Sequence, residues 1–296
     1  MKSSRFAVFF VLILVPFPAF AAKKSAATKT VAPGEEDPGR GSSLSLEYDH
    51  SPGDLSTVLF NGDIGLTKKL GFLMNYRYDE LPEGYAMGHA WNAGGGFAYD
   101  FDDVYSANAG GEYQRLLGNI YAPGGSVGVH ANVERWRFGL SFRSLKYQTD
   151  HARITSLGGT TTQRSLGIEV SYKLNDAWKI RGSYVGYHYT GVTPEQFGTL
   201  FASAPNALPG VQDTVDGFPR STGSLGVLLL ASDRWDFDLT FSRTRYVLIP
   251  NSSSVSLGAN YQATDAWGFG PILTGLRQDN HRTGTVLGVQ TSYFWD

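Results

Sequence analysis

In several segments of this 296-residue chain, charged residues sit two apart and alternate with apolar ones. Asp236 and Asp238 interleave with Trp235, Phe237, Leu239 and Phe241. A basic set, Arg137, Arg143, Lys173, Lys179 and Arg181, is interrupted only by Glu169, and a second acidic set holds Glu47, Asp49 and Asp63. Guanidinium, ammonium and carboxylate groups gathered in separate arcs attract one another and orient polar or ionic solutes between them. Bond-making chemistry finds less support. No strand–turn nucleophile motif is present, and no Ser and His fall at positions expected to meet, so no enzyme activity is expected. Asp176, Asp233 and Asp265 are turn formers first. The histidines at 50, 89, 130, 151, 188 and 281 lack the spacing of convergent ligands, so neither a metal nor another cofactor is expected. Of the six, only His130 falls on the same face as the charged sets.

What must position these charges is a set of β-strands, because side chains that alternate with period two point to opposite faces of a sheet. Several strands open on a Trp directly after a tight polar turn: Trp136, Trp178, Trp235 and Trp267. The segments Ser171–Trp178 and Asn260–Trp267 are close to one sentence written twice. Aromatic residues at the turn edge, an apolar face and a polar face together describe a barrel whose outside meets lipid and whose inside meets water. The expected fold is therefore an all-β, membrane-spanning, antiparallel up-and-down barrel. The four Trp residues would form its aromatic girdle, and the charged residues would line its pore.

Composition permits this without requiring it. Mean hydropathy is −0.20, 42% of residues are hydrophobic, and the formal charge of −2 is too even to argue for nucleic acid. With no cysteine, disulfides, thiolate chemistry and lipidation of an N-terminal Cys are excluded. Residues 1–21 read as a secretory signal peptide. Lys2 and Arg5 precede the apolar run Phe6–Val15, and Ala19-Phe20-Ala21 fits a cleavage site. That run is shorter than the roughly 18 residues of a spanning helix. Residues 22–42 carry clustered Lys, Glu and Pro without periodicity and read as a flexible periplasmic tail.

Residues 43–296 read as about 14 strands, with 12 or 16 as the alternatives. Tight turns fall around Lys68, Asp102, Glu134, Asp176, Asp233 and Asp265, and the intervening connections are mostly longer, which puts short turns on the periplasmic side. Strand ten is expected over Ser224–Ala231, its facing ambiguous in the run Val227–Leu230. Pro271 implies a bulge or a miscount in strand thirteen, since proline cannot donate to a ladder. In the longest connection, Gly191–Thr222, Thr193-Pro194-Glu195-Gln196 predicts a short helix through Phe201. That loop either constricts the lumen, caps the barrel or lies on its surface.

The final residues Leu287, Val289, Thr291, Tyr293 and Trp295 alternate to the end of the chain. This resembles the terminal strand of Gram-negative outer-membrane β-barrels, porin-like in architecture, which closes on an aromatic with another two residues before it. The resemblance implies that Tyr293 and Trp295 carry the signal read by the barrel-assembly machinery, although Asp296 follows them here. It also implies residence in the outer membrane, with the lipid bilayer and lipopolysaccharide as surroundings. Arg243 and Arg245, outward at the far end of strand eleven, are the candidates for contact with lipopolysaccharide phosphates. The expected function is a channel for passive diffusion of small polar solutes. A structural or partner-binding barrel with an occupied lumen, or an enzyme on the rim, are the alternatives.

Overall fold

The computed structural model describes residues 41–51, 55–80, 89–116, 120–149, 160–196, 217–280 and 283–295. The expected signal peptide, the tail up to residue 40 and the middle of the 191–222 connection lie outside them.

Fourteen antiparallel strands close into one barrel. They are β1 (Ser42–Ser51), β2 (Leu55–Gly65), β3 (Leu70–Glu80), β4 (His89–Asp100), β5 (Tyr105–Leu116), β6 (Ile120–Val133), β7 (Trp136–Thr149), β8 (Thr160–Lys173), β9 (Trp178–Gly191), β10 (Pro219–Leu230), β11 (Trp235–Tyr246), β12 (Ser252–Gln262), β13 (Trp267–Gln278) and β14 (Thr283–Trp295). Each pairs with its sequence neighbours, and β1 closes on β14 through Leu46↔Thr291 and Glu47↔Gln290. Closure leaves no unpaired edge, the condition for a sheet to cross a bilayer.

The short turns explain the recurrent motif. In five of the six, a side-chain oxygen accepts the two N–H groups that follow the bend. Thr67 caps Lys69 and Leu70, Asp102 caps Val104 and Tyr105, and Asn175 caps Ala177 and Trp178. Ser232 and Thr264 do the same for Trp235 and Trp267. The preceding N–H then donates to the carbonyl of the opening residue, as in Leu174 to Trp178 at 2.9 Å. The sixth turn is tighter and places Glu134 at φ 51°.

Outward positions carry an apolar belt that no protein layer covers: Phe138, Leu140, Phe142, Leu166, Ile168, Leu239, Phe241, Val255 and Leu257 are all exposed. A surface this apolar requires a nonaqueous neighbour. Inside, register settles the ambiguous run of β10: Val227 and Leu229 pair with the outward Leu239 and Phe237, whereas Leu228 faces the lumen beside Lys179 and Asp238. This strand also begins five residues earlier than the alternation suggested, at Pro219, through an irregularity between Pro219 and Ser221.

Pro271 creates no bulge. The β12–β13 register is the same on both sides of it, Gly258↔Ile272 and Tyr261↔Phe269, with the intervening pairs missing. On the other side Pro271↔Val289 continues the ladder. A proline without an N–H deletes rungs toward one neighbour only, so the strand runs straight through.

Candidate functional site

The interior is a cavity of about 1370 Å³ lined by residues from all fourteen strands. Three ion pairs lie on its wall, two reaching over an intervening strand and one along a single strand. Arg181 of β9 donates to Asp238 of β11 at 2.5 Å and to Thr240 at 3.0 Å. It reaches over β10 because position 226 is glycine. A Cβ there would stand 2.8 Å from the Arg181 Nε and 2.9 Å from the Thr240 hydroxyl. Arg143 of β7 holds Glu112 of β5 in a two-pronged pair whose Nε–Oε1 distance is 2.6 Å. Arg77 of β3 grips Asp79 at 2.8 Å, and Asp79 also accepts from the Thr57 hydroxyl at 2.7 Å.

The sequence-derived charge map needs one correction. Basic strands β7–β9 lie opposite β1 and β2 in the closed fourteen-strand ring, so Glu47, Asp49 and Asp63 do stand across from them. Asp238 does not: it is bonded to the basic arc two strands away. Glu47, Arg143, Arg181 and Asp238 line the cavity. Arg137, Lys173, Lys179, Asp236 and Asp63 share the same inward register nearer the short turns, where Asp236 accepts from Asn260 at 3.1 Å and Lys173 pairs with Asp176 at 2.8 Å. Beyond the strand end, that lysine holds the fully exposed Asp176 carboxyl below its usual range, by hydrogen bond first and charge second.

Arg77, Asp79 and Glu112 were not among the expected site residues. The first two alternate with Met74, Tyr76 and Tyr78 and were legible by the same parity. Glu112 sits in Gly110-Gly111-Glu112, and its inward facing was legible only from the outward Tyr113 beside it and Tyr105 at the strand's start.

Between the charges lies a wall of hydroxyls. Ser183 bonds Ser224 at 2.7 Å, Ser242 bonds Ser254 at 2.6 Å, Thr274 donates to Ser256 at 2.9 Å, and Thr222 meets Thr244 at 3.2 Å. Each such pair consumes one O–H and leaves the other, with spare lone pairs, for whatever fills the cavity. His130 also faces inward, 3.3 Å from the Asn108 amide. Among the described residues, no group of three or more His, Asp or Glu is placed to hold a metal.

The mouth opposite the short turns is partly filled. Leu116, Ile120, Ala122, Leu145 and Tyr147 turn inward and bury Val192 and Phe218, the two described ends of the long connection. Phe218 packs against Tyr147 and Tyr189 at ring distances of 4.9 and 5.1 Å. Helix begins at Pro194 on a reciprocal cap: the Gln196 side chain accepts from the Thr193 N–H at 2.8 Å, and the Thr193 hydroxyl accepts from the Gln196 N–H at 3.4 Å. Its continuation to Phe201 lies outside the described residues.

At the other end, Trp136, Trp178, Trp235 and Trp267 each open an odd-numbered strand. Their indoles are 41–50% exposed, half in contact with the wall and half facing outward. Three pack at a tilt against a Tyr on the next strand: Trp136 on Tyr172, Trp235 on Tyr261 and Trp267 on Tyr293, with ring centroids 4.4, 4.9 and 4.7 Å apart. Tyr293 in turn stacks on Trp295 at 5.5 Å.

No protein-family model matches the chain, and no curated relative matches it. Solved structures do. A structure described as the CymD monoaromatic hydrocarbon channel shares 12% identity at a TM-score of 0.55, over 87% of this chain and 88% of that one. A bacterial polysaccharide outer membrane secretin gives 10% and 0.52 over 88% of this chain and 100% of its own. A Pseudomonas aeruginosa FadL homologue gives 11% and 0.50 over 86% and 89%. The chain has the fold of the bacterial outer-membrane β-barrels, in its closed fourteen-strand, up-and-down form. At these identities the likeness speaks for the fold alone, and the cargo of each neighbour is a property of that neighbour.

Proposed function

We propose that the protein is an outer-membrane channel for passive diffusion of small hydrophilic solutes. The observation that carries this reading is the lumen wall. A continuous cavity runs against all fourteen strands and is faced by guanidinium–carboxylate pairs and half-used hydroxyls. Such a wall replaces part of a polar solute's hydration shell at small cost, with the inward Leu59, Leu73, Val185, Ile272 and Leu276 adding apolar surface between the charges. Pore lining is assigned to Glu47, Asp63, Arg137, Arg143, Lys173, Lys179, Arg181, Asp236 and Asp238.

In the same reading the N-terminal segment exports the chain, and Tyr293 and Trp295 on β14 present the assembly signal. Trp136, Trp178, Trp235 and Trp267 form the girdle at the periplasmic interface, with lipid and lipopolysaccharide around the barrel.

Reconstitution into a planar bilayer tests the channel. Discrete, stable conductance steps are expected, and replacing Arg137 and Arg181 with Glu shifts selectivity toward cations. Absence of any conductance in protein that is folded by heat-modifiable gel migration would leave the occupied-lumen barrel as the better reading.

A further inference from the structure

On the inner faces of β6, β7 and β8, His130, Gly139 and Glu169 stand side by side in register, and all three line the cavity. The middle position is bare: a Cβ on Gly139 would stand 2.9 Å from His130 Nδ1 and 3.4 Å from the Glu169 Cβ. The two polar side chains therefore border one gap in the wall. Each also carries a buried atom without a hydrogen-bond partner, His130 Nδ1 and Glu169 Oε1. Their roles are opposite. The Asn108 amide nitrogen lies 3.3 Å from His130 Nε2, and an amide N–H only donates, so Nε2 accepts and the neutral ring keeps its proton on Nδ1. An unused N–H donor and an unused carboxylate acceptor thus flank the gap. A hydroxyl satisfies both at once, since its oxygen accepts and its hydrogen donates.

The charge around the gap narrows the ligand further. Arg137, Lys179 and Arg181 are the cations whose fields act on Glu169, and that of Arg137 also reaches His130. Arg181 is matched by Asp238, and Asp236 accepts from Asn260 on β12. Arg137 and Lys179 against the single carboxylate of Glu169 leave one positive charge in excess. A monoanion neutralises it, whereas a zwitterion or an uncharged alcohol does not. Arg137 stands two positions from Gly139 on the same inner face of β7, close enough for one small molecule to meet the gap and the excess charge together.

We propose that the wall between β6 and β9 holds a subsite for short hydroxycarboxylate anions, with the hydroxyl over Gly139 and the carboxylate drawn by Arg137 and Lys179. The inference rests on the channel reading and adds to it a solute class and a place. Water in the gap is the competing occupant, and ligands with and without the hydroxyl separate the two.

The probes are lactate, propionate, which lacks the hydroxyl, and alanine, the zwitterionic analogue. Each is titrated into purified full-length mature protein in neutral detergent and followed by saturation-transfer NMR, with empty micelles as the blank. One net hydrogen bond changes affinity by about fivefold. Wild type is therefore expected to bind lactate more tightly than propionate by about fivefold or more, and more tightly than alanine. Gly139→Ala fills the gap and is expected to bring lactate and propionate close to parity. Glu169→Met removes the acceptor together with a negative charge, so it is expected to tighten propionate binding while lowering the preference for lactate. Damage to the fold does not produce those opposite signs. Equal affinity of wild type for lactate and either analogue overturns the proposal, and equality with propionate leaves the gap to water. An undiminished preference in either variant overturns it as well. Unchanged heat-modifiable migration shows that a variant has folded, and either variant alone suffices. Conductance on the same preparations separates the two readings: a lactate preference without conductance removes the channel and keeps the subsite, whereas conductance without the preference removes only the subsite.

Discussion

The bridge from Arg181 to Asp238 gives the most exposed test of the lumen geometry. Replacing Arg181 by Gln and Asp238 by Asn, singly and together, makes a double-mutant cycle whose coupling isolates the pair. Two unit charges 4 Å apart interact by about 4 kcal/mol at an effective dielectric of 20 and by about 1 kcal/mol in water. The two side chains are 30% and 28% exposed to the lumen. Screening by lumenal water places the coupling toward the lower limit, at ~1 kcal/mol. The glycine between them sharpens the test. Gly226→Ala puts a methyl 2.8 Å from the Arg181 Nε and 2.9 Å from the Thr240 hydroxyl, so the guanidinium must swing away. Alanine also recovers roughly 0.5–1 kcal/mol of the strand penalty of glycine. Net stability therefore stays close to wild type while the Arg181–Asp238 coupling collapses. Urea unfolding in lipid vesicles, read by tryptophan fluorescence, supplies all four corners in each background. A coupling within experimental error of zero in the Gly226 protein, or the same coupling after Gly226→Ala, refutes the bridge.

Two further outcomes follow from packing and from turn chemistry. Phe218 is 2% exposed and wedged between Tyr147 and Tyr189. Phe218→Ala is expected to cost ~3–5 kcal/mol in the same urea assay and to raise single-channel conductance as the mouth loses its filling. An unchanged midpoint would remove Phe218 from the mouth. Asn175 accepts from the Ala177 and Trp178 N–H groups at 2.9 Å each. Because water replaces an acceptor in an exposed turn, Asn175→Ala is expected to cost only about 0.5–1.5 kcal/mol, with Asn175→Asp restoring it. A loss several times larger would mean that the turn organises more than its own hairpin.

The sequence by itself determined the barrel class, the end that carries the short turns and the facing of most strands, and it bounded the strand number at about 14, with 12 or 16 open, until closure set it at fourteen. These follow from local rules: period-two alternation marks a face, and a capped turn followed by Trp marks a strand start. The same rules failed where local signals were silent. The all-apolar run of β10 had no parity until its neighbours supplied one, whereas Glu112 on glycine-rich β5 was legible by parity from Tyr105 and Tyr113. Pro271 shows the opposite error, a real local constraint absorbed by a sheet that drops a few rungs on one side and holds register on the other. Only the closed structure decided which charges meet. Arg181 and Asp238 are 57 positions apart, and Arg143 and Glu112 are 31. Their meeting depends on side chains that reach over an intervening strand, in the first case across a bare glycine. Distances of that kind are set by closure and shear around the ring, to which no single strand's pattern refers.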